Sequence, residues 1–123
     1  MDFNLRLYTN AAGALAAVPS PVEAQPDGIG GAMREYQLEG VSWLVSMYDR
    51  AAPAILADEM GLGKTLQTIA FFRALKNLRD IPGPHLVVCP LSVLSSWMLE
   101  ATKWCPEMRF TRLHTSDVDE RAR

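Results

Sequence analysis

A chain of 123 residues, 49% hydrophobic and 21% charged, has the size of one globular domain and enough length to bury a core. Its formal net charge of −2 excludes a global basic field for capturing nucleic acid or membrane, while leaving room for a local groove. The longest apolar run falls well short of the ~20 residues of a membrane helix, and "MDFNLRLYTN" ahead of "AAGALAAV" carries Asp2 and no basic cluster, so the start does not read as a secretory leader.

In chain order, residues 1–32 read as a flexible lead-in, because "VPSPVEAQPDGIGGA" (18–32) is rich in Pro, Gly and Ala with little periodicity. "MREYQLEGVSWLVSMYDR" (33–50) places most of its apolar residues on one helical face, and Pro53 forbids continuation. "AILA" (54–57) is a candidate buried strand. "KTLQTIAFFRALKNLR" (64–79) predicts an amphipathic helix with basic residues near its end, broken by "IPGP". "HLVVC" (85–89) predicts a second strand, and Ser92 an N-cap for a helix over about 93–104. Trp97 and Trp104, seven residues apart, share a face of that helix and read as core. "MRFTRLH" (108–114) alternates like a third strand, and the capping box from Ser116 to Asp119 opens a further helix.

Strands alternating with helices predict an α/β fold with a parallel sheet covered on both faces. With three strands the sheet is thin and truncated, its edges unpaired. Cys89 and Cys105 lie outside any C-x-x-C pair, and no histidine sits at zinc-ligand spacing, so both read as reduced thiols.

The chemistry concentrates in "LADEMGLGKTLQT" (56–68). A phosphate cradle needs backbone N–H groups unobstructed by side chains, a helix N-terminus behind them, a lysine for the β/γ-phosphates and a hydroxyl for Mg²⁺. Gly61 and Gly63 supply the open backbone, Lys64 the cation and Thr65 the hydroxyl. The pattern G-x-x-x-x-G-K-[ST] asks for glycine where this chain has Asp58. A glycine-rich helix entry that holds no nucleotide is the alternative. Asp58 and Glu59 would neighbour a polyanion, so they either point away, act through a metal-bound water, or form a solvated loop pair.

"ILADEMGLGKTLQTIA" (55–70), Asp58 included, resembles the first motif of the Swi/Snf-type chromatin-remodelling ATPases of helicase superfamily 2. "MREYQLEGVSWL" (33–44) is similar to that family's adenine-recognition segment, and "VVCPLSVLSSWMLEATKWCP" (87–106) to its DNA-facing motif. The three stand in the family's order over about residues 30–115, in a style closest to the imitation-switch and chromodomain-helicase branches.

The resemblance implies a helicase-like fold, with 33–123 the incomplete N-terminal part of a RecA-like P-loop lobe, the first ATP-binding lobe. It implies ATP and Mg²⁺ as cofactors, double-stranded DNA and nucleosomes as partners, and a nuclear location. Lys64 and Thr65 would be catalytic, with Thr65 on the metal. Gln37 would read adenine, Arg34 would flank the base, and the loop residues Asp58, Glu59, Met60, Gly61, Leu62 and Gly63 would complete the nucleotide site. Pro90 and Ser92 would contact DNA. The family's D-E-x-H motif is absent from 106–123, and its arginines belong to a second lobe. The 123 residues alone are therefore expected to be inactive. A non-catalytic product that retains partial nucleotide-binding elements is the rival reading, and an unrelated P-loop kinase or GTPase a third.

Overall fold

The computed structural model describes residues 22–114. Three helices form there: α1 (Glu35–Asp49), α2 (Lys64–Arg79) and α3 (Leu91–Trp104). Helix α2 packs against both α1 and α3. None of the three is long and apolar enough to cross a membrane.

Each helix follows from local chemistry. At the start of α1, Arg34 is extended, and the Gln37 side-chain oxygen accepts its backbone N–H at 2.9 Å. That satisfies a donor which helix geometry leaves orphaned. The helix ends at Arg50 and Ala51, the latter with φ 51°, ahead of Pro53. Its buried stripe runs through Gln37, Val41 and Val45, at helical spacing. Helix α2 spans the predicted residues 64–79 and stops at Asp80, in the left-handed region, where Ile81 N–H bonds Leu75 O at 3.2 Å. The guanidinium of Arg79 reaches across to Asp49 with bonds of 2.7 and 2.6 Å, and that hydrogen bonding holds the Asp49 carboxyl below its usual range. Both residues are exposed, so the pair adds little to stability.

The core gathers Val41 and Val45 of α1, Leu66, Ile69, Ala70 and Ala74 of α2, and Ala101 and Cys105 at the end of α3. Complete burial of a side chain such as Ile69 stabilises by about 1.5–3 kcal/mol. Trp104 packs against this core, whereas Trp97 is only half-buried. Burial pushes the Cys105 thiol above its ordinary pKa, as fits a packing residue.

The strands and the α3 cap depart from the sequence expectations. Among the described residues no β-strand forms: 54–57, 85–89 and 108–114 run without a backbone hydrogen bond joining any two of them. Ile55, Leu86, Val88 and Leu113 are exposed instead. Apolar composition makes a segment competent for a sheet, but a strand exists only where a neighbour's N–H and C=O groups stand alongside it. The α3 cap also differs. Pro90 is the N-cap, extended with ψ 144°, and Ser92 lies inside the first turn with no capping bond. Proline's fixed φ suits the entry to a helix, so the helix starts earlier than the serine signal indicated. The helix expected from 116 lies outside the described residues.

The inner end of the predicted lead-in is tied to the helices. Val22 and Ile29 join the core. Gln25 folds its own segment: its amide nitrogen donates to Ile29 O and Gly31 O, and its oxygen accepts from Met33 N–H. Arg73 Nε donates to Asp27 O at 2.8 Å, and Gly30 N–H donates to Trp104 O at 2.7 Å. Residues 22–33 thus strap α2 to the end of α3.

Candidate phosphate-binding site

The segment 58–63 enters α2 directly. Gly61 and Gly63 have φ of 84° and 81°, a region that side-chain-bearing residues rarely adopt. At Gly61 a Cβ would meet nothing within 4 Å, whereas at Gly63 it would stand 2.5 Å from Gln37 Nε2. Gly63 is the N-cap of α2 and no side chain caps it. The first-turn N–H groups and the positive end of the helix dipole therefore face the loop, an arrangement suited to an anion.

The loop is held from three directions. Lys64 Nζ donates to Asp58 O at 2.6 Å and to Glu59 O at 2.8 Å. From α1, Gln37 Nε2 and Tyr36 Oη both donate to Leu62 O, at 3.1 and 3.2 Å. From within α2, Gln67 Nε2 donates to Asp58 Oδ2 at 3.0 Å. The Asp58 carboxylate thus turns back toward the helix, while Glu59 and Met60 project into solvent.

An open cavity of ≈ 290 Å³ brings together Arg34, Gln37, Gly61, Leu62 and Gly63 of the predicted site. Tyr36, Glu100 and Trp104 also line it. Sequence reasoning assigned neither Tyr36 nor Glu100 to the site. Nothing local marks them, since Glu100 and Trp104 reach the loop only because α3 packs on α2. Lys64, Thr65, Asp58 and Glu59 do not line this cavity; Thr65 is half-buried in the first turn of α2. Pro90 and Ser92 are exposed at the start of α3, away from the cavity lining. Among the described residues no group of three or more His, Cys, Asp or Glu side chains converges as a metal site.

Known proteins resemble this chain over most of its length. A family model described as SNF2-related domain matches residues 36–122. The chain is 52% identical over 93 residues to the human SWI/SNF-related matrix-associated actin-dependent regulator of chromatin subfamily A member 1, covering 76% of this chain and 9% of that protein. It is 47% identical over 97 residues to an ISWI chromatin-remodeling complex ATPase of Saccharomyces cerevisiae, covering 79% of this chain and 8% of the relative. Among solved structures, the Sulfolobus solfataricus SWI2/SNF2 ATPase core in complex with dsDNA is similar at a TM-score of 0.69 and 45% identity, over 74% of this chain and 19% of that one. The chain thus spans under a tenth of those two curated relatives, and its fold corresponds to part of a SWI2/SNF2 ATPase core. With most of its length matched and about half of the aligned residues identical, the chain belongs to the SNF2-related domain family.

Proposed function

We propose that this chain is part of the first ATP-binding lobe of an ATP-dependent DNA translocase that remodels nucleosomes. The observation that carries the nucleotide assignment is the entry to α2: two glycines at positive φ, an uncapped helix N-terminus, and Lys64 curled over the same loop. Family membership and a neighbour bound to dsDNA support the rest.

In this reading the backbone of 58–63 cradles the phosphates, and Lys64 exchanges its two carbonyl acceptors for phosphate oxygens. Thr65 would offer its hydroxyl to Mg²⁺, which when bound would supply charge neutralisation at the phosphates. Gln37 and Arg34 border the base. The Gln37 amide already bonds Arg34 N–H and Leu62 O. One lone pair and one N–H remain for the adenine edge. Pro90 and Ser92, exposed at the N-terminus of α3, would meet the DNA backbone. The apolar segments at 54–57, 85–89 and 108–114 would become parallel strands of a RecA-like sheet, with 33–123 belonging to the lobe.

Hydrolysis and movement on DNA are proposed for a longer polypeptide carrying this segment, with the acidic Mg²⁺-holding motif and the arginines supplied from outside these residues. The nucleus is the proposed location.

The test is phosphate release by such a polypeptide, with and without duplex DNA, beside the 123-residue chain. DNA-stimulated turnover only in the longer protein, abolished by Lys64→Ala, is expected. Turnover indifferent to DNA would overturn the translocase reading, and DNA-stimulated turnover by the short chain would overturn its assignment as an incomplete motor.

A further inference from the structure

Gln67 is completely buried, at 0% exposure, in the middle of the α1–α2 contact. Its amide nitrogen donates to Asp58 Oδ2 at 3.0 Å, and its oxygen has no hydrogen-bond partner. That oxygen lies over Gly40 of α1, where any Cβ would overlap it. A buried polar atom without a partner is destabilising, and so is a glycine inside a helix relative to alanine. A leucine or methionine facing an alanine would fill this space with neither cost. What the costly arrangement achieves is one N–H group placed against the carboxylate that opens the phosphate loop.

We propose that Gln67 is a positioning residue for the phosphate loop, holding the Asp58 carboxylate against α2, with Gly40 providing the space it occupies. The inference rests on the phosphate-site reading above. Asp58 is held twice, through its carbonyl by Lys64 and through its carboxylate by Gln67. Lys64 and Gln67 are three residues apart and share a helix face. A phosphate that recruits the Lys64 ammonium removes the first hold, so the Gln67 bond is the side-chain tie that keeps Asp58 on α2 in the nucleotide-bound loop. The same bond turns a negative charge away from the polyphosphate, where like-charge repulsion would weaken binding.

The test uses the 123-residue chain and three readouts: the thermal melt, amide hydrogen exchange of 58–63 without nucleotide, and MgATP affinity by calorimetry. Gln67→Met keeps the length of the side chain and removes the unpartnered oxygen. It should melt at or above the wild-type temperature, while loop exchange accelerates about 5-fold or more and affinity falls on the order of 10-fold. Asp58→Ala breaks the same bond from the loop side, leaving the buried Gln67 N–H unpartnered and so lowering the melt; it should reproduce the faster loop exchange, with a smaller loss of affinity because the repelling carboxylate is gone as well. The double variant should be no worse than either single, because both remove one bond. Asp58→Asn still offers a carbonyl acceptor and should keep wild-type loop exchange. Unchanged loop exchange in Gln67→Met or Asp58→Ala, or additive effects in the double variant, would overturn the proposal. Failure of the wild-type chain to bind MgATP would overturn the phosphate assignment instead, and the exchange comparison would still decide whether Gln67 holds Asp58.

Discussion

The ammonium of Lys64 stands 2.6 Å from the carbonyl oxygen of Asp58, so the cation assigned to phosphate is bonded to the loop that would cradle it. Its charge is satisfied by backbone carbonyls rather than by a carboxylate, and those carbonyls can be exchanged for more strongly accepting phosphate oxygens.

Replacing that cation is the first test of the site. Lys64→Ala should weaken MgATP binding on the order of 10- to 100-fold, the range for a lost hydrogen bond to a charged group. In a longer, hydrolysing protein it should reduce turnover by about 100-fold or more. Calorimetry and phosphate release measure the two effects. Affinity and turnover at the wild-type level would remove Lys64 from the site.

Gln37 connects the proposed base site to the loop, since its amide caps α1 and grips Leu62 O. Gln37→Ala should lower stability by about 1 kcal/mol through the lost cap and narrow the preference for ATP over GTP in the hydrolysing protein. Competition between the two nucleotides gives the preference. Equal use of ATP and GTP by the unmutated protein would assign Gln37 to loop support alone.

Gly28 tests the strap. Its φ is 87°, and a Cβ there would overlap the Arg73 guanidinium that reaches Asp27 O. Gly28→Ala combines left-handed strain of about 1–2 kcal/mol with displacement of Arg73. The melting temperature should fall by about 4–8 °C per kcal/mol, and protease should cut within 22–34 sooner. An unchanged melt and cleavage rate would show that the strap contributes nothing to stability.

His85 sets a pH dependence. Its ring stacks on Phe72 at 4.4 Å and 3°, and Nε2 is buried without a partner. Burial pushes its pKa below the ordinary value, against a smaller upward effect of a bond to the Ile81 backbone. As pH falls below about 6.5 the unfolded chain takes up the proton first. Stability from this residue is therefore complete above that pH and declines as pH drops toward the lower folded value. The melting temperature should decrease from pH 7 to pH 5, with a shallower slope in His85→Phe. Equal slopes would show that His85 does not titrate between the two states.

The sequence alone determined the features that depend on near neighbours. Helical spacing and basic residues toward its end delimit α2. The adjacency of Gly61, Gly63, Lys64 and Thr65 marks the loop, since positive φ and an open backbone are properties of single residues. The motif order from 33 to 106 was sufficient to indicate the family. Tertiary structure alone decided which polar groups meet. Gln67 looks like any polar residue of an amphipathic helix until α1 covers it at Gly40, and Gln37 has no visible tie to Leu62, 25 positions away. The strap at 22–33 carries no periodic pattern, because it is held by a few long-range bonds and two apolar anchors. The apolar runs at 54–57 and 85–89 show the limit from the other side. Composition states that a segment can pair, while pairing itself requires another backbone brought alongside, and only the arrangement of the whole chain supplies one.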